Sequence, residues 1–332
     1  MIKKDLRTLF DAMYHGKYSF DDFLNSPISE NYEVVAHPAN KKPLLKPREN
    51  LKKYHRFLNL FLIENLPINE RVVFSYRRGA SAFDAVKKHR EGRYFFHTDI
   101  RSFFDSIDAG MVRQTILSGE DSCAILDLHE SIERIVDLIC VNGSVPVGFP
   151  TSAPLSNAVL LNFDNYLEKT CDNLGLVYSR YADDIIISGS DRENISNIDE
   201  TVQSGLYEFA SKNLIINRRK TRFFQVGGKV KILGMLILPN QKIIPDSKKT
   251  KELEFLLHFY LSDRSKFDRI IDEMRAKKGK RSETLEGMGE DLLSGNLNYV
   301  DSIDPEYTNK LRRKFGAATI DMLIHKGFSD KK

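Results

Sequence analysis

The chain has no run of about 18 apolar residues, and its opening Met-Ile-Lys-Lys-Asp-Leu-Arg lacks the apolar core of a signal peptide. A non-exported protein working in the cytoplasm, with no membrane partner, is therefore expected. Cysteine is scarce: Cys123, Cys140 and Cys171 are far apart and form no CxxC, which argues against a disulfide framework and a structural zinc site. Buried apolar fillers in a reducing compartment are the expectation for all three. Internal repeats and low-complexity linkers are missing, and strands and helices alternate without the rhythm of parallel βαβ units. That pattern argues for an α+β fold with an antiparallel sheet.

What is present is a globular composition, 41% hydrophobic and 29% charged over 332 residues, enough for one large domain or two to three ordinary ones. The net charge of +4 is modest, but the cations are clustered. Lys41, Lys42, Lys46, Arg48, Lys52, Lys53 and Arg56 face only Glu49; Arg71, Arg77, Arg78, Lys87, Lys88, Arg90 and Arg93 follow; Lys277, Lys278, Lys280 and Arg281 form a third group. Each alone reads as a solubilising face. Together, with Tyr54, Phe57, Phe74 and Tyr76 interleaved, they fit a nucleic-acid track, where cations meet phosphates and rings meet bases.

The chemistry-bearing stretch is Tyr181-Ala182-Asp183-Asp184. Val177–Arg180 and Ile185–Gly189 flank it with β-branched and aromatic residues, so it reads as the tight connection of a β-hairpin with two adjacent carboxylates at its tip. Taken alone, that is as readily a solvated acidic turn. A third carboxylate, Asp99, closes the aromatic strand Arg93–Thr98, a rigid position with an open end where metal ligands recur. Asp105 and Asp108 read as helix-start residues, and His97 as a packed or hydrogen-bonded strand residue without catalytic weight.

Elsewhere the pattern predicts short amphipathic helices before Ser26-Pro27, a helix over 51–66 stopped by Pro67, and a strand over 71–76 delivering Arg77-Arg78-Gly79. The paired guanidiniums suit phosphate, or equally an exposed salt-bridging pair. Two helices are expected over 109–141. A Gly/Pro-punctuated loop around Gly148 then opens one long helix through Leu167, its small residues letting a ligand backbone approach. A helix over 191–213, strand, basic turn and strand over 214–224, and a hairpin around Pro239-Asn240 follow. From Ser247 onward helices are expected, broken near Gly279 and Gly295-Asn296.

In order, these stretches resemble the reverse transcriptase family. Phe95–Ile100 looks like its first catalytic motif, Gly148–Asn157 like its nucleotide-binding loop and helix, and Tyr181–Asp184 like its metal-binding hairpin. Lys220 sits in its downstream lysine turn, and Leu233-Gly234 in the hairpin that holds the primer end. Within the family, the tail Tyr299–Tyr307 and Leu311–Gly316 looks most like bacterial retron-type and related phage-defence enzymes. The chain departs from the family in having Val147-Gly148 for Gln-Gly and Ser152-Ala153 for Ser-Pro. Asp84–His89 stands for the retron Asn-Ala-x-x-His, and Ile232-Leu233-Gly234 for Val-Thr-Gly.

The resemblance implies a right-hand polymerase: an N-terminal helical extension over 1–28, fingers over 29–92 and 109–145, palm over 93–108 and 146–240, thumb over 241–332. It implies RNA-directed DNA synthesis with two Mg²⁺ ions, Mn²⁺ being an alternative, and Asp99, Asp183, Asp184 and the Ile100 carbonyl as ligands. Arg77, Arg78, Gly148 and Lys220 would bind the nucleotide, Lys220 as proton donor to pyrophosphate, with Phe104 as the sugar gate that favours deoxynucleotides. Tyr181, Leu233, Gly234, Lys277 and Lys278 would meet primer or template. Implied partners are an RNA template, most naturally a dedicated non-coding RNA, deoxynucleotides, the DNA product and an effector protein, in bacterial antiphage defence. The alternatives are an untemplated or primer-independent polymerase of an abortive-infection system, and an inactive polymerase-like RNA-binding protein.

Overall fold

The computed structural model describes residues 2–36, 43–277 and 287–329. The chain forms two compact units, one reaching to Phe224 and one from Gln225 onward.

The first unit opens with α1 (Leu6–Tyr14) and α2 (Phe20–Asn25), as expected, capped by the side chains of Asp5 and Ser19. Phe10 and Phe23 pack with Tyr54 and Phe57 of α3 (Glu49–Phe61), and Phe20 packs on Phe10 and Phe23; α3 follows the hairpin β1 (Tyr32–Val35) and β2 (Leu44–Pro47). The helix expected to run to Leu66 stops at Phe61; a 3₁₀ turn over Ile63–Asn65 carries the chain to Pro67.

The strand expected over 71–76 does not form. Val72 and Val73 are both buried, so there is no period-two alternation, and their amides turn back onto the Asn69 carbonyl. Only Val73 bridges, to Arg180, and Tyr76 adopts a left-handed φ of 54°.

After α4 (Ala82–Lys87), the strand β3 (Tyr94–Asp99) runs through the core, followed by α5 (Ala109–Ser118) and α6 (Leu128–Ile139). Asp108 caps α5, its Oδ1 accepting from the Met111 amide at 2.9 Å. The long helix expected after Gly148 is two, α7 (Ser152–Val159) and α8 (Leu161–Asn173), broken at Leu160. The break lets α7 bury Ser156 and Asn157 while α8 buries Phe163, Asp164 and Leu167.

The hairpin β4 (Val177–Tyr181) and β5 (Asp184–Gly189) follows, then α9 (Arg192–Ile195) and α10 (Ile198–Phe209) in place of one helix, then β6 (Arg222–Gln225). Of the strand-turn-strand expected over 214–224, the first half makes only the bridge of Ile216 to Ile100. The sheet has the order β4-β5-β3-β6, and β5 is antiparallel to both neighbours. All three cysteines are buried and free.

In the second unit, β7 (Val230–Ile232), β8 (Met235–Ile237) and β9 (Ile243–Pro245) form an antiparallel three-stranded sheet, one strand more than the hairpin expected. Leu233 and Gly234, at φ 48° and 78°, make its first turn. The helices are α11 (Ser247–Ser262), α12 (Arg264–Lys277), α13 (Met288–Ile303), α14 (Pro305–Phe315) and α15 (Ala317–Ser329). The break expected at Gly295-Asn296 does not occur: Leu293, Leu297 and Val300 are buried around it. Burying them outweighs the roughly 1 kcal/mol that glycine costs a helix. The break expected near Gly279 lies outside the described residues. Among the described residues no helix is long and apolar enough to cross a membrane.

Candidate active site

β3 and β5 pair so that Asp99 lies directly opposite Asp184. Opposed residues of an antiparallel pair project to the same face with Cβ atoms about 5 Å apart, so the register alone brings these two carboxylates together. Asp183 sits beside them in the β4–β5 turn, where Ala182 takes a left-handed φ of 57°. The Ile100 amide donates to the Asp183 carbonyl at 3.0 Å, tying the turn to the exit of β3.

Lys220 arrives from the loop before β6. The Asn217 amide donates to the Asp99 carbonyl at 2.7 Å, and the Lys220 and Thr221 amides close onto the Asn217 carbonyl. That turn delivers the Lys220 ammonium to Asp99 Oδ2 at 2.5 Å. The bond to Asp99, with the charges of all three aspartates, raises the lysine's pKa although burial opposes it.

Three carboxylates thus face one ammonium, and the corner is under-neutralised. Asp183 shows it: burial first, then the neighbouring Asp184 and Asp99, push its pKa up to about 6 against the pull of Lys220. Asp99 Oδ1 is buried with no hydrogen-bond partner. His97 Nε2 donates to Asp184 Oδ1 at 2.8 Å, so the histidine dismissed from sequence touches a site carboxylate. Its only signal was its place two residues before Asp99 on the same face.

Tyr76, read above only as an aromatic of the nucleic-acid track, also comes near the acidic corner. It is 46% exposed, and burial together with the charges of Asp183 and Asp184 raises its hydroxyl pKa.

The two arginines do not project together. Arg77 folds back, donating to the Val73 and Glu70 carbonyls at 2.7 Å each and pairing with the Glu70 carboxylate at 3.2 Å, whereas Arg78 is exposed. The reason is local hydrogen bonding: Glu70 and Val73 offer Arg77 carbonyls within its own loop. Both arginines still line a recess of about 770 Å³ with Tyr76, Pro154 and Asn157.

The backbone that Gly148 admits is the chain's own: a Cβ there would lie 2.4 Å from the Leu45 carbonyl oxygen of β2. Phe104 is half-buried, its ring centroid 5.5 Å from that of Phe103. Tyr181 is half-buried at the end of β4.

In the second unit the Gly234 carbonyl accepts from the Asp246 amide at 3.1 Å and the Tyr299 hydroxyl at 3.2 Å, fixing the Leu233-Gly234 turn. Lys277 is the last residue of α12; Lys278, Lys280 and Arg281 lie outside the described residues, as do Lys41 and Lys42.

His89, the counterpart of the retron-like element, is fully buried, its ring bonded to Ser188 Oγ at 2.8 Å and Ser179 Oγ at 2.7 Å behind the hairpin. It braces the sheet and is out of reach of any nucleic acid.

As placed, no three His, Cys, Asp or Glu side chains among the described residues form a group ready to hold an ion. At this corner Asp99 and Asp184 each have one oxygen engaged, by Lys220 and His97.

The family model described as reverse transcriptase (RNA-dependent DNA polymerase) matches residues 38–237. An antiparallel sheet carrying acidic residues on two adjoining strand ends within that span defines the class: the chain belongs to the reverse transcriptase family, and is an RNA-directed DNA polymerase of right-hand fold.

Its bacterial relatives narrow this further. It is 22% identical to the retron Ec83 reverse transcriptase of Escherichia coli over 328 residues, covering 95% of this chain and 96% of that one. It is 27% identical over 295 residues to the retron Mx65 reverse transcriptase of Myxococcus xanthus, covering 85% of this chain and 63% of that one. Among reverse transcriptases, the relatives it resembles along its length are thus bacterial retron enzymes. A solved telomerase from Candida albicans with a fragment of telomeric RNA also aligns, at 11% identity and TM-score 0.45, over 97% of this chain and 67% of that one.

Proposed function

We propose that the Asp99, Asp183 and Asp184 corner binds two divalent ions, Mg²⁺ in the cell, and adds deoxynucleotides to a primer end on an RNA template. The observation that carries this reading is the excess of carboxylate over cation where β3 meets the β4–β5 turn. The donors suit such ions: hard carboxylate oxygens, one buried without a partner, with a net negative charge that repels itself. The Ile100 carbonyl adjoins them. Bound ions would activate the primer 3′ hydroxyl and neutralise the leaving pyrophosphate.

The chain's own groups do the rest. Asp99, Asp183 and Asp184 supply the ligand oxygens, the orientation of Asp184 held by His97. Lys220, kept protonated by Asp99, is placed to give a proton to departing pyrophosphate. Arg78 and Arg77 grip the triphosphate from the recess they line, with Gly148 shaping the adjoining loop. Phe104 closes the space a ribose 2′ hydroxyl would need. Tyr181, Leu233-Gly234 and the Lys277-Lys278 stretch contact primer and template. The division into fingers, palm and thumb given above belongs to this reading.

The template we propose is a dedicated non-coding RNA copied in antiphage defence; similarity to retron enzymes along nearly the whole chain supports it. Primer extension on RNA with deoxynucleotides and Mg²⁺ tests the chemistry, and sequencing the copurifying nucleic acid tests the template. Template-dependent extension and one recurrent RNA are expected. Extension indifferent to template would favour the untemplated polymerase and overturn this reading.

A further inference from the structure

The largest fully buried side chain among the described residues belongs to Arg180, three residues before Asp183. Its Nε donates to Asp164 Oδ1 at 2.8 Å and its Nη2 to Asp164 Oδ2 at 2.6 Å; both residues are wholly inaccessible. Tyr178 donates its hydroxyl to the same carboxylate at 2.7 Å. A buried ion pair is a poor source of net stability, because desolvating two charges offsets their attraction. Its geometry, however, is demanding, and here it extends to the catalytic turn.

Arg180 Nη1 donates to the Ala182 carbonyl at 3.0 Å and to Asn157 Oδ1 at 3.3 Å. The Ala182 amide donates to Ser75 Oγ at 2.7 Å, and that hydroxyl donates in turn to Asn157 Oδ1 at 3.3 Å. Asn157 Nδ2 donates to the Ser75 carbonyl at 2.8 Å, which fixes which way the amide faces. Both backbone polar groups of Ala182, its N–H and its C=O, are thereby held by buried side chains. Ala182 is not glycine, yet it sits at φ 57°, a conformation costing roughly 1–3 kcal/mol that persists only where the surroundings over-determine it.

The same network joins two parts of the site. The Arg180 amide donates to the Val72 carbonyl at 2.7 Å, and the Phe74 amide to the Arg180 carbonyl at 2.9 Å. The segment leading to Tyr76, Arg77 and Arg78 is thus stitched to the edge of β4.

We propose that Arg180, Asp164, Asn157 and Ser75 form a positioning clamp that holds the left-handed Ala182 turn, and so sets where Asp183 and Asp184 point relative to Asp99. It rests on the metal-site reading above. Ser75, Asp164 and Arg180 are wholly buried and act through the turn; Asn157 does so too while its edge lines the Arg77–Arg78 recess.

The test uses Ser75→Ala, which removes one hydroxyl and leaves the ion pair intact, beside Ser179→Ala, which removes an equally buried hydroxyl from the same β4 strand on the His89 side. Amide exchange of Ala182 and the Mg²⁺ concentration for half-maximal primer extension are measured in both, with melting temperature as the control on folding. In Ser75→Ala, exchange should quicken at least about tenfold and half-saturating Mg²⁺ should rise about 10- to 100-fold, the usual range for groups that orient metal ligands. Ser179→Ala should change neither. Ser75→Ala behaving like wild type on both readouts, or Ser179→Ala raising the Mg²⁺ requirement as much at equal melting temperature, would overturn the clamp. Quickened exchange in a protein whose wild type extends primers without any response to Mg²⁺ would overturn the metal reading and still support the clamp.

Discussion

Two acidic sites lie on either side of the same hairpin and are treated in opposite ways. Asp164 is wholly buried and wholly matched: one guanidinium grips both its oxygens and a tyrosine hydroxyl adds a third bond. Asp99, Asp183 and Asp184 are three charges with one lysine and one histidine between them, and the middle one responds by holding its proton up to about pH 6. The contrast separates scaffold from chemistry. A charge kept for architecture is satisfied by the protein, whereas a charge kept for catalysis is left short of a cation that something else must bring.

Each side of that comparison can be broken separately. Asp183→Asn should lower Mg²⁺-dependent extension by about a thousandfold or more, above the 10²–10³ lost with a single neutral catalytic donor. The fold should survive, since one member of a mutually repelling set is removed; circular dichroism and RNA binding check this. Asp164→Ala should do the reverse, costing about 3–5 kcal/mol of stability by leaving Arg180 buried and unpaired. Denaturant unfolding measures it, and a loss under about 1 kcal/mol would show that the pair is not the closed site described.

Acid should weaken the scaffold through its buried histidines. Burial lowers the pKa of His89 to about 3 and of His55 to about 4, so both are neutral in the fold. The unfolded chain protonates them near 6.5, so their contribution is complete above that pH and lost as pH falls. At pH 5 each should cost about 2 kcal/mol relative to pH 7. Asp183 has the opposite sign, its raised pKa favouring the protonated fold as pH falls through about 6. Unfolding titrations at pH 7 and 5 on wild type and His55→Gln should therefore show the flatter response in the variant. Smallest of the set, Phe104→Ala should raise ribonucleotide use relative to deoxynucleotides by about tenfold, measured as the ratio of kcat/KM values. An unchanged ratio would remove the gate from Phe104.

How much of this could be read beforehand follows from where the information sits. The hairpin at Tyr181–Asp184 and the strand ending at Asp99 are local: β-branched flanks, an acidic tip and a turn all fall within a few neighbouring residues. The α1 and α2 helices and the capping role of Asp108 were legible for the same reason. The clamp was not, because Ser75, Asn157 and Arg180 meet across 82 and 23 positions of chain and no short pattern joins them. Gly295 looked like a break because helix propensity is local, while the packing of Leu293, Leu297 and Val300 that overrides it is not. The 71–76 segment failed as a strand for a related reason: two adjacent buried valines and a left-handed Tyr76 serve the hairpin next door rather than a ladder of their own.

The central claim is that the acidic corner is built to receive a cation. Thermal unfolding of wild type and Asp183→Asn, each with and without millimolar Mg²⁺, addresses it without any assay of synthesis. Without Mg²⁺ the variant should melt at or above wild type, and added Mg²⁺ should raise the wild-type transition while leaving the variant's nearly unmoved. An equal Mg²⁺ shift in both proteins, or a variant that melts well below wild type without the ion, would contradict the account.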